Sequence, residues 1–228
     1  MILSAHQPAY LPWLGYLEKI ARADVFVYLD TVQFEKNSFI NRNRIKTPQG
    51  VQWLTIPVRA KGHLSMTLRD LATDATQPWH ARHLKAITMN YSRAPHYTTC
   101  FPKFEKLSVD RPSNLAELCW RQLCFWLSEF GIAARVVRAS ELRVEGSKSD
   151  LILQLCRHLG ADRYLSGALG RGYLVEEDFR TAGIAIEYQD YRTPVYPQMW
   201  GDFVPNLSIV DYWMNCGADA KPFRETGR

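Results

Sequence analysis

The chain has 228 residues, a net charge of +5 and a sequence pI near 9.0. With 46% hydrophobic and 22% charged residues it is not a disordered chain, and its length suits one domain with a sizeable core. Its Lys and Arg residues are scattered, with no basic run and no nucleic-acid module, so the charge points to an anionic small substrate and not to nucleic acid. Five cysteines without a Cys-x-x-Cys pair, no signal-peptide pattern and no apolar run of membrane length predict a reduced, cytoplasmic protein. Most of those cysteines lie inside apolar patterns and read as core fillers.

Taken in chain order, "MILSA" reads as a buried strand, and Trp13 to Arg22 has helical spacing with Leu14, Leu17 and Ile20 on one side. "DVFVYLD" is a second strand, which makes a βαβ unit whose strands should lie parallel. Residues 34–50 read as a polar connection, and "VQWLTIPV" as a strand ended by Pro57. Residues 62–76 have no clear pattern and leave room for a short strand. "QPWHARHLKAITMNY" predicts a helix, and Pro95 and Pro102 then punctuate residues 92–104. A long helix follows over residues 113–131, with Ser113 as its cap and Gly131 as its stop. "ARVVRA", "DRYLSG" and "IAIEYQDY" predict strands, alternating with helices in "KSDLILQLCRHLG" and "YLVEEDFRTAG". An aromatic loop over residues 193–206 and a helix over 207–217 complete the pattern. This predicts an α/β, Rossmann-like doubly wound fold, with a mostly parallel sheet and helices on both faces. Residues 1–217 form one domain, and 218–228 a loosely ordered tail.

In open α/β sheets ligands bind at the carboxyl ends of the strands, and three predicted strand ends carry chemistry. After the first come His6, Gln7 and Tyr10; after the second, Asp30 and Gln33, then Asn41, Arg42 and Asn43; after the third, "SGALGRGYL" with Ser166 and Gly167. His6 suits a general base near neutrality, Gln7 offers a donor and an acceptor, and Arg42 can fork onto a carboxylate or phosphate. Lys19 adds a cation on the first helix, and Gln198 lies in the aromatic loop. Each has a structural alternative: His6 as a core histidine, Asp30 as a turn cap, Lys19 as a solvated charge, residues 41–43 as a polar loop, Ser166–Gly167 as a plain turn, and the Gln198 loop as a plug. No metal-ligand set, nucleophile elbow or catalytic-cysteine motif stands out.

"HQPAYLPWLGYLEKI", "DVFVYLDTVQFEKNSFINRNRI", "WLTIPV", "GADRYLSG" and "PNLSIVDYWMNCG" together resemble the WbqC-like family of bacterial proteins, from the first residues to about Gly217. The resemblance implies a setting in O-antigen or other surface-polysaccharide synthesis and transfer of glycine or another amino acid. The positions matching its motifs are His6, Gln7, Tyr10, Trp13, Gly15, Tyr16, Lys19, Asp30, Gln33, Asn41, Arg42, Ser166 and Gly167. The layout of "PAYLPWLGYLEKIARADVFVYLDTVQF", residues 8–34, is also similar to the strand, loop, helix and second strand of nucleotidylyltransferases and pantothenate synthetase. That likeness implies an acyl-adenylate route to an amide, with ATP and Mg²⁺. The chain departs from it where the two signature histidines fall on Trp13 and Tyr16, which leaves His6 as the substitute. The resulting expectation is an amide-forming transferase or ligase joining an amino acid to an amine on a sugar or small metabolite. His6, Gln7 and Asp30 are its candidate catalytic residues. Tyr10, Lys19, Gln33, Asn41, Arg42, Asn43, Ser166, Gly167 and Gln198 are the candidate binding residues. A non-catalytic binding module for a sugar nucleotide or metabolite, and a nucleotidylyltransferase, are the alternatives.

Overall fold

The structure is a computed structural model that describes residues 1–36, 38–59, 66–109 and 112–224. Its strands are β1 (Ile2–His6), β2 (Val25–Tyr28), β3 (Arg42–Thr47), β4 (Gly50–Thr55), β5 (Arg135–Arg138), β6 (Arg163–Ser166) and β7 (Ala185–Tyr188). Its helices are α1 (Leu14–Ala21), α2 (Trp79–Tyr91), α3 (Tyr97–Leu107), α4 (Leu115–Glu129), α5 (Ala139–Leu142), α6 (Lys148–Leu159), α7 (Glu176–Thr181), α8 (Ile209–Cys216) and α9 (Lys221–Arg224). Five strands form one sheet in the order β5-β2-β1-β6-β7, with every pairing parallel. β3 and β4 form a separate antiparallel hairpin.

Side chains alternate across each strand, so both faces of a central strand must find cover. Leu3, Ala5, Val27 and Leu29 share one apolar cluster with Leu151, Ile152 and Leu155 of α6 and Phe179 of α7. Phe26 and Tyr28 belong to a second cluster with α1, α4 and α8 and with Ile45 and Leu54 of the hairpin. The result is a mixed α/β fold, a parallel sheet flanked by helices. Strand order reverses between β1 and β6, which is consistent with a doubly wound arrangement.

The structure departs from the sequence expectations at several elements. The stretch read as a polar connection contains β3. Its alternation is hidden because buried polar residues stand where apolar ones would signal a strand: Asn43 donates to the Leu11 carbonyl (2.6 Å), and Lys46 Nζ to Gln198 Oε1 (3.1 Å) and to the carbonyl of Gly201. Helix α3 continues through Pro102, held by buried Cys100 and Phe104; packing outweighs the backbone bond that proline removes. The cap of α4 is Asn114, whose side chain accepts from Glu117 N at 2.8 Å, while the Ser113 carbonyl serves Thr73. Of residues 62–76, 62–65 lie outside the described residues. The rest form a helical turn at Leu68–Asp70 and isolated bridges, such as Val58 with Thr73. Of the segment read as a tail, residues 225–228 lie outside the described residues, and within the described part α9 buries Phe223.

Candidate functional site at the carboxyl edge of the sheet

β1 ends on His6 beside β2, with Leu29 N donating to the His6 carbonyl at 2.9 Å. The imidazole is half-buried, edge-on to Tyr16 (5.0 Å between ring centres) and Trp13 (5.7 Å). Its Nδ1 lies 3.0 Å from the Gln7 carbonyl. A carbonyl oxygen only accepts, so Nδ1 carries the proton and the lone pair sits on Nε2. Nε2 has no hydrogen-bond partner among the described residues. Burial first, and the Lys19 ammonium second, push the imidazole down to about 3, so His6 is neutral in the protein at any ordinary pH.

Lys19 reaches the same edge from α1. Only 3% of it is exposed, and Nζ donates to the Ala5 carbonyl at 3.0 Å. A methyl group on Gly167 would lie 3.9 Å from Nζ, which places the amine between the ends of β1 and β6, where strand order reverses. Burial brings Lys19 down to about 7, against the opposing pull of the Glu18 carboxylate. An amine poised there is part charged near neutrality and can hold an anion or exchange a proton. The solvated-charge alternative for Lys19 does not describe it.

Gln7 is half-buried, and its side-chain amide makes no hydrogen bond to the described residues. At the end of β2, Asp30 accepts from Ser140 twice, from N at 2.9 Å and from Oγ at 2.6 Å, so its carboxylate ties β2 to the start of α5. At the end of β6, Ser166 is buried and its Oγ donates to the Gly167 carbonyl at 3.0 Å. The turn after it folds back so closely that a methyl group on Gly170 would lie 1.9 Å from Ser166 Oγ. Gly170→Ala should therefore lower stability by about 1–3 kcal/mol in thermal denaturation. Adding Ser166→Gly should restore most of the loss, and no rescue would place the strain elsewhere.

Other candidates serve the loops around the edge. Tyr10 is buried, with its hydroxyl 2.8 Å from His83 Nδ1. His83 also donates to the Thr55 backbone and, pushed down to about 4 mainly by burial, is a neutral bridge between the residue 7–13 loop and the hairpin. Asn41 donates to the Ile56 carbonyl (2.8 Å). The Arg42 guanidinium stacks on Trp53 at 4.4 Å. Gln33 is exposed and bridges Thr67 through its backbone. Gln198 pairs with the backbone of Val204 in both directions and with Lys46, away from the sheet edge. The edge thus gathers His6, Gln7, Lys19, Asp30, Ser166 and Gly167, while Tyr10, Asn41, Asn43 and Gln198 fix surrounding segments.

A model of the WbqC-like protein family matches residues 7–222, nearly the whole chain. The chain belongs to the WbqC-like family. This WbqC-like protein is also similar to the uncharacterized protein Rv1507c of Mycobacterium tuberculosis (strain ATCC 25618 / H37Rv), at 35% identity over 221 residues, which cover 95% of this chain and 94% of that protein. No solved structure matches it significantly. In this WbqC-like chain, sequence reasoning missed two residues that shape the edge. Gln189, just past β7, donates from its backbone to the Ser166 carbonyl (2.8 Å) and from its side chain to the Gly15 carbonyl (2.8 Å) and to Glu18. The strand-end rule, extended to β7, finds it. Gln122 is a polar residue within the apolar stripe of α4, and its Oε1 accepts from Leu11 N (3.3 Å). Leu11 has φ of +44°, and with Asn43 on its carbonyl both of its backbone groups are held by buried side chains. Among the described residues no helix is long and apolar enough to cross a membrane, and no three His, Cys, Asp or Glu side chains gather as a metal set.

Proposed function

We propose that the protein is an enzyme that transfers an amino acid, such as glycine, or a related acyl group to an amine on a sugar or small metabolite. The reading takes the sheet as Rossmann-like and doubly wound, with the reacting groups meeting at the reversal point between β1 and β6. One observation carries it: a neutral histidine with its lone pair on Nε2 beside a buried amine, at the edge where such sheets bind ligands. The amine attacks the acyl carbon, the bond from that carbon to its leaving group breaks, and the amine's proton goes to His6 Nε2. The leaving group departs with its electron pair.

At about 3 the imidazole is a weak base. A bound anion would favour the protonated imidazole and offset the Lys19 charge, the second cause after burial of its low value, so the base would gain strength with substrate in place. Lys19 would hold the substrate carboxylate or phosphate, and Gln7 would orient the amine through its unengaged amide. With ATP as activator the acyl donor would be an acyl-adenylate, and Mg²⁺ would arrive with the nucleotide phosphates. A thioester donor suits the same residues. The second reading, a binding module for a sugar nucleotide or metabolite, is favoured by the two Ser140 bonds to Asp30 and by the inward hydrogen bond of Ser166, which leave few polar groups for chemistry.

The test is amide formation from amino acids with amino sugars and small amines, with ATP and Mg²⁺ or coenzyme A thioesters, comparing the natural chain with His6→Ala. We expect turnover to fall by about 10²–10⁴-fold while ligand-induced thermal stabilisation is kept. Full turnover in a normally stable His6→Ala protein would reject the role given to His6. Ligand binding with no product from any donor would favour the binding module.

A further inference from the structure

A line of aromatic rings leaves the sheet edge and ends in the open. From His6 the next ring is Trp13 (5.7 Å), then Phe39 (5.4 Å), then Trp53 (5.7 Å). Three separate segments supply the outer rings: the residue 7–13 loop, the approach to β3, and β4. Phe39 is 37% exposed and Trp53 42%, although the opposite face of the hairpin is packed through Ile45 and Leu54. The register sets Arg44 directly across from Trp53 and Arg42 across from Thr55, so both guanidiniums share Trp53's face; their carbons lie 5.7 Å and 4.4 Å from the Trp53 ring centre. Arg44 Nη2 also donates to the Asn206 carbonyl at 3.1 Å, which steadies it.

Exposed tryptophan and phenylalanine side by side, joined ring to ring with His6 at the sheet edge and flanked by guanidiniums, make a surface for a ring that carries negative charge. A guanidinium stacked on an aromatic face keeps its plane fixed and presents its N–H groups edgewise, the geometry that suits carboxylate and phosphate. We propose that Trp53, Phe39 and Trp13, with Arg42 and Arg44, form a subsite for a ring-bearing anionic small molecule whose far end reaches His6. This rests on the reading of the sheet edge as an acyl-transfer site and names the chemistry of the acceptor, a ring plus a phosphate or carboxylate. A nucleotide and a sugar phosphate share that chemistry.

The experiment is calorimetric titration of the full chain with uridine 5′-monophosphate, glucose 1-phosphate, inorganic phosphate and a short oligouridylate. The same titrations are run on Trp53→Ala, Trp53→Phe, Arg42→Gln and His6→Ala. At least one ring-bearing phosphate should bind about tenfold or more tightly than inorganic phosphate, and Trp53→Ala and Arg42→Gln should each weaken it by about tenfold or more. Trp53→Phe should keep most of the affinity, which separates a lost stacking partner from a damaged hairpin. Tighter binding of the nucleotide assigns a planar base to the platform, and tighter binding of the sugar phosphate assigns a pyranose. The inference is overturned if no ring-bearing phosphate binds, if inorganic phosphate binds equally well, if Trp53→Ala changes nothing, or if the oligonucleotide binds more tightly than the mononucleotide. His6→Ala keeps the two readings apart. Ring binding that survives while turnover also survives removes only the proposed chemistry; loss of turnover in His6→Ala with binding indifferent to Trp53 removes only the platform.

Discussion

Lys19→Met should make the protein more stable at pH 7 while abolishing anion binding at the sheet edge. The side chain is buried and its amine is brought down from 10.5 to about 7, so its charged form is held in the folded state against an unfavourable desolvation. A shift of that size corresponds to about 4–5 kcal/mol between the two protonation states. Methionine removes the penalty and conserves the volume, but the hydrogen bond to the Ala5 carbonyl is lost. A net gain of about 2 kcal/mol, or about 5 °C in Tm, is the expected result.

The pH dependence gives a sharper check. Below pH 7 the amine is protonated in both folded and unfolded chains, and the burial penalty is present in full. Between pH 7 and 10.5 the folded protein releases a proton that the unfolded chain keeps, so stability rises with pH across that window. The rise attributable to Lys19 should be absent from Lys19→Met when the two proteins are compared from pH 6 to about 10 by denaturant titration. A mutant less stable than the natural chain at neutral pH, with the same pH profile, would mean that the amine is a well-paired structural group.

The second large effect is expected at Asp211, far from any proposed chemistry. This fully buried carboxylate on α8 accepts from Tyr91 at 2.6 Å and from Tyr196 at 2.8 Å, and the Tyr91 hydroxyl in turn accepts from Lys46 N at 2.9 Å. Burial raises the Asp211 carboxyl above its usual range, while the two tyrosines and Lys46 pull it back. One side chain thus joins α2, α8, the hairpin and the aromatic loop. Asp211→Ala leaves two buried hydroxyls short of an acceptor and opens a void, a loss of about 3–5 kcal/mol. Chemical denaturation should read that loss, and proteolysis should cut first within residues 192–206 as the loop loosens. Asp211→Asn keeps an acceptor for one tyrosine and should lose about 1–2 kcal/mol. Equal losses in the two variants would show that charge, not hydrogen bonding, holds the junction.

The strand ends that meet at the edge were legible because apolar runs rich in β-formers stop abruptly on His6, Asp30 and Ser166, and parallel pairing then fixes their neighbours. Lys19 was visible as a residue but not as a buried one. On α1 it sits next to Glu18, and distant partners bury both: the turn after β6 lies against Lys19, and Gln189 past β7 engages Glu18. The hairpin was hidden for a related reason. Arg42, Asn43, Arg44 and Lys46 spell a loop in composition, yet each has a partner far along the chain or across the hairpin, such as Gln198, Asn206 or Trp53. Buried polar groups satisfied at long range leave no trace in local periodicity. The single-residue shift in the α4 cap and the helix running through Pro102 follow the same logic: distant contacts overruled a sound local preference.

The central position of β1 has a consequence for how the molecule assembles. Ser4 Oγ donates to the Leu165 carbonyl, across 161 positions of chain, while β1 and β2 meet across about twenty. The β1–α1–β2 unit can close early, but its other flank stays an unpaired edge until β6 arrives, and such distant parallel pairings form slowly. The meeting of the β1 and β6 ends around Lys19 comes into being only at that late docking, so binding competence and the completed sheet should appear in one kinetic phase. Before it, β1 offers an open ladder of backbone groups to any other chain, and refolding yield should fall as protein concentration rises.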